Sequence, residues 1–318
     1  MKIQQIITLR NEPWCGVDYD LVQEWENQFA DGLKADLYYD TIKLRSNRII
    51  SRVPWLADLL QTHKPALKFR MLPLGNPPGD NKKNIYPIII DFYLHSDDEL
   101  SLFYKTCDKN PIIYISSKEV FDFLKAKGCP LTIKHLPISL PDKYRLTSLP
   151  TKKYDVVMLG RQNKTFKEYL DRYAINHSDF VYVFRDKSGY ITSQNELLGE
   201  LADRESYWNL MRSAKVGLYA TPGMDNARQN TNGFSQVTPR FLEYLAAGCH
   251  VVARYKNNSD TEFFELNEMS TRVQSYDDFS HALNRLLHSS IPMTKYQAYL
   301  NRHYTSNRID MLLNEHAS

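Results

Sequence analysis

Short apolar runs alternate with helical periodicity through the first half of the chain. Residues 3–9 carry a strand pattern, and residues 18–30 place Leu21, Val22, Trp25 and Phe29 on one face of a helix. A second helix is predicted over 53–60, a Pro/Gly-rich turn region over 73–79, and buried strands over 86–92, 112–115 and 131–136. Between the last two strands, Ser117 caps a helix over 118–126 that ends at Gly128. Strands and helices in alternation predict an α/β domain with a largely parallel sheet. Residues 137–151 hold three prolines, several charges and no period, which predicts an interdomain linker. The alternation then resumes. A strand over 154–160 runs into a glycine turn, and further strands fall at 180–184, 216–219 and 250–253. Helices fall at 165–173, 205–213, 239–247 and 276–287, and residues 294–314 read as helical. The expected organisation is therefore a first domain over 1–148, a second over 149–292 and a helical tail over 293–318.

One segment specifies both of its ends. In Thr238-Pro239-Arg240-Phe241-Leu242-Glu243-Tyr244-Leu245-Ala246-Ala247-Gly248, Thr238 suits an N-cap and Pro239 the first helical position, while Gly248 suits the left-handed stop. Nearly everything between is apolar or small. Glu243 stands alone there, and a carboxylate in such a setting is costly unless paired. At the ligand end of a short helix it can hold two adjacent hydroxyls such as those of a ribose, in which case it faces a wet cleft. The helix N-terminus and Arg240 suit a phosphate. The alternative is a core helix whose Glu243 pairs with an arginine for structural reasons.

This segment, with the strand-like Cys249-His250-Val251-Val252 after it, resembles the nucleotide-binding helix of GT-B glycosyltransferases, group 1 and the CgeB-like (spore-maturation-type) branch. The resemblance extends more loosely over residues 154–287. It implies an α/β fold of two Rossmann-like domains, with a cleft for donor and acceptor between them and a tail that crosses back to the first domain. It implies that Glu243 binds the ribose of a nucleotide-diphosphate sugar and that Arg240 faces the diphosphate. Group 1 enzymes often carry two Glu residues eight positions apart. Counting back from Glu243 gives Ser235, so the first of the pair is missing here. That leaves the donor sugar and the retaining mechanism open.

Other candidates take their weight from position. Gly160-Arg161-Gln162-Asn163-Lys164-Thr165 joins a strand to a helix, so Gly160, Arg161 and Lys164 form a candidate phosphate cradle. The chain lacks Gly-x-Gly-x-x-Gly and Walker patterns, which argues against a dinucleotide or P-loop site. The long loop 220–237 offers Arg228, Asn230, Asn232 and Gly233 for sugar hydroxyls, against the alternative of a polar surface loop. His95 follows a buried strand, where it can orient a sugar hydroxyl or act as a base. Trp14 follows the first strand and can shape an acceptor pocket. Nearby Glu12 and Asp18 are candidate bases, although Asp18 reads better as a helix cap.

Composition narrows the partners. The net charge of +3 does not call for nucleic acid, and no apolar run is long enough to span a membrane. The first residues lack a signal-peptide pattern, and the four cysteines are scattered without a Cys-x-x-Cys pair. A cytoplasmic protein without zinc or a disulfide framework is expected. Tyr38, Tyr39, residues 64–70, Lys82 and Lys83 form a candidate peripheral contact with the inner face of a membrane, each cation contributing at most about 1 kcal/mol. Their irregular spacing favours ordinary solvated charge.

Together these readings predict a glycosyltransferase that uses a nucleotide-sugar donor and a glycan or glycolipid acceptor. No cofactor and no metal are expected, since Arg240, Arg161, Lys164 and helix amides can meet the charge of the leaving diphosphate. His95, Arg240 and Lys164 are the expected catalytic groups. By resemblance, the reaction is expected to retain anomeric configuration and to serve surface polysaccharide assembly. Two alternatives stand beside it: an inverting transferase or sugar-nucleotide epimerase, and a non-catalytic nucleotide-binding or scaffold protein of the same fold.

Overall fold

The structure, a computed structural model, describes residues 2–8, 20–39, 63–72, 81–226 and 231–317. The helix expected at 53–60, the turn at 73–79, and Glu12, Trp14, Asp18, Arg228 and Asn230 lie outside the described residues. The chain divides into two compact units. One holds Met1–Ser117, Phe123–Pro137 and Thr305–Ser318, and the other holds Lys118–Asp122 and Ile138–Tyr304.

The first unit runs β1 (Gln5–Thr8), α1 (Asp20–Leu33), β2 (Asp36–Tyr39), β3 (Ala66–Leu72), β4 (Ile85–Phe92), α2 (Asp97–Cys107), β5 (Ile113–Ile115), α3 (Lys118–Ala126, whose first residues Lys118–Asp122 belong to the second unit) and β6 (Ile133–His135). Its six strands lie in the order β2-β1-β3-β4-β5-β6, all parallel. Ile6, Ile7, Leu67, Ile88, Ile89 and Tyr114 are buried in it, as expected of a sheet covered on both faces.

Strand β3 corrects the sequence reading. Residues 64–70, taken there as a basic surface stretch, contain most of β3, and its Lys68 and Arg70 are buried. They are therefore not available to a membrane surface. Ser96 and Glu99 form a capping box at the start of α2, so Asp97 and Asp98 open that helix, where they complement its dipole.

The second unit continues with β7 (Tyr154–Val157), α4 (Lys164–Ile175), β8 (Tyr182–Asp186), β9 (Gly189–Thr192), β10 (Leu197–Gly199), α5 (Arg204–Arg212) and β11 (Ala214–Ala220). Then come α6 (Arg240–Ala246), β12 (His250–Arg254), α7 (Ser259–Phe263), α8 (Leu266–Met269), β13 (Thr271–Arg272), α9 (Tyr276–Leu286) and α10 (Met293–Leu300). The last helix, α11 (Thr305–Ala317), belongs to the first unit, where Arg308 Nε donates to the Pro137 carbonyl at 3.0 Å and Glu315 accepts from the Tyr114 hydroxyl. The helix expected over 294–314 is thus two helices, broken at residues 301–304.

The second sheet has the order β10-β9-β8-β7-β11-β12-β13. Its strands from β8 to β13 are parallel neighbours, and β9 and β10 add an antiparallel edge. The chain moves from β7 outward to β8, then returns to place β11 on the other side of β7. The carboxyl ends of β7 and β11 therefore flank a topological switch point, where open α/β sheets bind ligands. Helices α4 and α9 pack Phe166, Leu170, Tyr173, Phe279 and Leu283 against Val156, Val216, Leu218 and Val252.

The stretch expected to be a linker is built into this unit. Leu140 N–H donates to the His303 carbonyl at 2.9 Å, Gln297 donates to the Leu146 carbonyl at 2.8 Å, and Leu140, Tyr144 and Leu146 are buried. The prolines there mark an irregular path rather than a free one.

Candidate functional site

Helix α6 is buried apart from its first residue, Arg240, and packs against β11 and β12. Its stop is the expected one: Gly248 has φ +66°, its N–H donates to the Leu245 carbonyl, and Cys249 N–H donates to the Tyr244 carbonyl. Its start differs from the expectation. Thr238 does not cap the helix with its side chain. Instead its N–H donates to the Tyr219 hydroxyl at 2.9 Å, and that phenol, whose pKa burial pushes up to about 12, stays neutral. Tyr244 seats the helix on the sheet: its ring lies over Gly217, where an added Cβ would stand 2.3 Å from Cδ1, and its hydroxyl accepts from Leu159 N–H at 3.1 Å.

The turn after β7 meets the first residue of α6. Gly160 takes φ +67°, and a Cβ there would stand 2.8 Å from Arg240 Nη1, so the position is glycine for conformation and for space. Asn163 caps α4 by accepting from Phe166 N–H, which leaves Lys164 as the helix's first residue. Arg161 and Lys164 are both exposed. The structure therefore brings Gly160, Arg161, Lys164 and Arg240 to the same strand-end turn.

Glu243 is where the structure departs from the sequence reading. The residue is 1 % exposed, and both carboxylate oxygens are taken. Oε2 accepts from Arg240 Nε at 3.0 Å, and Oε1 accepts from Arg204 Nη2. Burial pushes the carboxyl up, and the Arg204 and Arg240 guanidiniums together pull it below its ordinary value, so it is ionised. The wet-cleft setting expected from the sequence is corrected: the carboxylate is sealed between two arginines. Hydroxyls of a ribose reach it only if one of those guanidiniums gives way.

Arg204 is the residue that sequence reasoning missed. It opens α5 just after the Asp203 cap, where a basic side chain reads as solvated. The available signal was the need of a buried carboxylate for a cation. The Arg240 and Arg204 guanidiniums both lie against the Tyr207 ring, at 4.6 and 5.6 Å from its centroid.

The loop after β11 is tied down at several points. Asp225, at φ 54°, receives the Arg254 guanidinium through two bonds of 2.7 Å and the Asn163 amide at 3.0 Å. Ser235 is buried. Its hydroxyl lies 2.6 Å from that of Thr221, and its N–H donates to the Glu119 carboxylate at 2.8 Å. A carboxylate from α3 thus stands beside the position of the missing first Glu; burial raises its pKa to about 7. Asn232 and Gly233 are exposed, both at positive φ.

In the first unit, His95 lies in the loop between β4 and α2. Its N–H donates to Glu99 and its ring stacks on Phe123 at 5.4 Å. Among the described residues, no three His, Cys, Asp or Glu side chains converge as metal ligands would, and no helix is long and apolar enough to cross a membrane.

Residues 163–314 match the sequence model of the glycosyl transferase-like family. Over its whole length the chain is similar in fold to Anabaena HepE in complex with UDP and glucose, at TM-score 0.63, with 12% identity and coverage of 100% of this chain and 99% of that one. The chain has the GT-B fold. Sucrose-phosphate synthase from Thermosynechococcus elongatus is similar at TM-score 0.60 and 11% identity, covering 100% of both chains. WaaG, a glycosyltransferase involved in lipopolysaccharide biosynthesis, is similar at 0.56 and 11%, covering 98% of both. No curated protein matches the chain. The Gly160 turn is followed at once by the start of the matched stretch, which holds α6 and both arginines on Glu243.

Proposed function

We propose that this GT-B protein transfers a sugar from a nucleotide-diphosphate sugar to a glycan or glycolipid acceptor, without a divalent metal and with retention of configuration. The observation that carries the reading is the packing of Arg240 on Gly160 at the switch point of the sheet, beside Arg161 and Lys164. As the sugar–phosphate bond breaks, negative charge builds on the leaving diphosphate. Cations already fixed where that charge develops stabilise it without reorganisation. Gly160, Arg161, Lys164, Thr238, Arg240 and Glu243 make up the proposed donor site, with Asn232 and Gly233 towards the sugar. His95 is the proposed group that orients a reacting hydroxyl. UDP in the HepE complex and the lipopolysaccharide role of WaaG support a nucleotide-sugar donor and surface polysaccharide assembly. The Thr-Pro-Arg start of α6 supports the CgeB-like branch.

Thermal-shift measurements with UDP, GDP, ADP and CDP, each with and without excess EDTA, test this reading. One diphosphate should raise the melting temperature, equally with and without chelator. Loss of the shift on chelation, restored by magnesium, contradicts metal independence, and no shift with any of them contradicts the donor site.

One observation favours a second reading. Ser235 stands buried and hydrogen-bonded where a donor-contacting Glu would be, which suits a protein that binds a nucleotide without turning over a donor. Absence of sugar transfer despite a clear nucleotide shift would select it.

A further inference from the structure

We propose that the first turn of α3 is a proton-dependent clasp on the loop that leads into α6, with Glu119 holding Ser235 in acid and releasing it as pH rises towards neutral. The clasp is a property of the chain whether or not the turn after β7 takes a nucleotide.

The loop hangs from side chains. Ser235 N–H donates to the Glu119 carboxyl at 2.8 Å, Val237 N–H to Asp260 at 3.1 Å and Thr238 N–H to the Tyr219 hydroxyl at 2.9 Å. These three acceptors belong to α3, α7 and β11. Asp260, 1 % exposed, also accepts from the N–H of Lys118, the first residue of α3. One carboxylate thus ties the start of that helix to the same loop. The Ser235 carbonyl accepts from the Asn258 amide at 3.1 Å, on the residue that caps α7. All of these groups lie in the second unit.

Of the three anchors, Glu119 is the one that titrates near neutral pH. It is half-buried. Burial acts on it most strongly, and together with the Asp260 charge it pushes the carboxyl up to about 7, against the pull of the Ser235 N–H, the Asn258 amide and Lys256. Lys118, its neighbour on α3, is engaged with Asp122. A protonated Glu119 still accepts from Ser235 N–H through its carbonyl oxygen and buries no charge. An ionised Glu119 regains hydration by turning outward, and Ser235 N–H then loses its acceptor. Released, the carboxyl returns towards its ordinary 4.5. Opening therefore becomes easier, by at most about tenfold per pH unit, between that value and the held one, and levels off above it. Burial pushes the Tyr219 phenol up to about 12, so it stays neutral throughout and Thr238 keeps its anchor.

Amide hydrogen exchange on the full chain, resolved by residue and corrected for the intrinsic pH dependence of exchange, tests this without any ligand. Between pH 5 and pH 7 the protection of Ser235 should fall about tenfold or more, while that of Thr238 changes by less than about threefold. Glu119→Gln keeps a carbonyl for Ser235 N–H and cannot titrate, so its Ser235 protection should stay level across the range. The proposal is overturned if Ser235 stays level in the wild type, or if it falls as steeply in the folded Gln variant. It is equally overturned if Ser235 and Thr238 fall together, because Glu119 would then act only on global unfolding. The comparison of the two amides within the wild type decides the matter even if the variant does not fold.

Discussion

Two acidic residues of the second unit, Asp225 and Glu243, are both held against arginines, and the two clusters are finished to different degrees. Asp225 takes Arg254 in a two-bond fork with the Asn163 amide added, and the remaining Arg254 donors reach the Val273 and Gln274 carbonyls. The Arg254 hydrogen bonds first of all hold the Asp225 carboxyl below its ordinary value. Arg254 is satisfied within the unit, and the cluster pins the loop after β11 to β12 and to the start of α4. Glu243 divides itself between two arginines, and Arg240 keeps a buried donor with no acceptor. An ion pair whose donors are all met is a fastening. One that leaves a donor unmet at a sheet's switch point, beside further cations, is the cluster proposed to take the donor's diphosphate.

The largest expected effect separates the two in a single assay. Asp225→Asn and Glu243→Gln should each lower folding stability by about 3 kcal/mol or more, because each leaves an arginine's charge poorly compensated. In denaturant titrations the two variants should therefore look alike. Calorimetry at a temperature where both are folded should part them: Asp225→Asn keeps nucleoside diphosphate affinity, and Glu243→Gln loses it. Equal losses of affinity would erase the distinction.

Glycines give the next contrast. Gly217→Ala forces a methyl into the fully buried Tyr244 ring and should cost about 1–3 kcal/mol, read as a lower denaturation midpoint, with no change in ligand affinity once the protein is folded. Gly160→Ala meets the movable end of Arg240 at a left-handed position, so its stability cost should be smaller, about 1–2 kcal/mol. It displaces the guanidinium, however, and should reduce pyrophosphate affinity about tenfold. A Gly160→Ala protein that binds normally would show that the Arg240–Gly160 packing has no part in binding.

How legible this was in the sequence depended on how local each signal was. The Gly160 turn and the α6 stop at Gly248 are specified by residues within a few positions of the feature, and they were read correctly. The alternation Leu67-Lys68-Phe69-Arg70-Met71 is itself a strand signal, but its cations suggested surface charge. They are buried in β3 instead. Arg204 and Glu243 are 39 positions apart and come from different helices. No local pattern announces that pairing, and without it Glu243 read as a residue facing water.

The smallest expected effect concerns pH, and Glu243 and Glu119 should show opposite signs. Glu243 is held below its ordinary 4.5, so its stabilising contribution is complete above that value and is lost as pH falls through the lowered folded value. For Glu119, burial raises the folded pKa to about 7 from 4.5. Between those values the folded protein holds a proton that the unfolded chain has released, so its contribution to stability falls as pH rises across that window. Denaturant titrations of wild type and Glu119→Gln through that range should show the wild-type slope flattened in the variant. Parallel curves would mean that the carboxylate beside Ser235 titrates normally.

The central claim is that the turn after β7 and the first residue of α6 form a diphosphate site, and calorimetric titration of wild type and Arg240→Ala with nucleoside diphosphates tests it most directly. The wild type should bind one of them with an affinity that survives excess EDTA. Arg240→Ala, with an unchanged circular dichroism spectrum, should bind it at least about tenfold more weakly while the variant Asp225→Asn does not. A folded Arg240→Ala protein that binds the same diphosphate as tightly as the wild type would contradict the account.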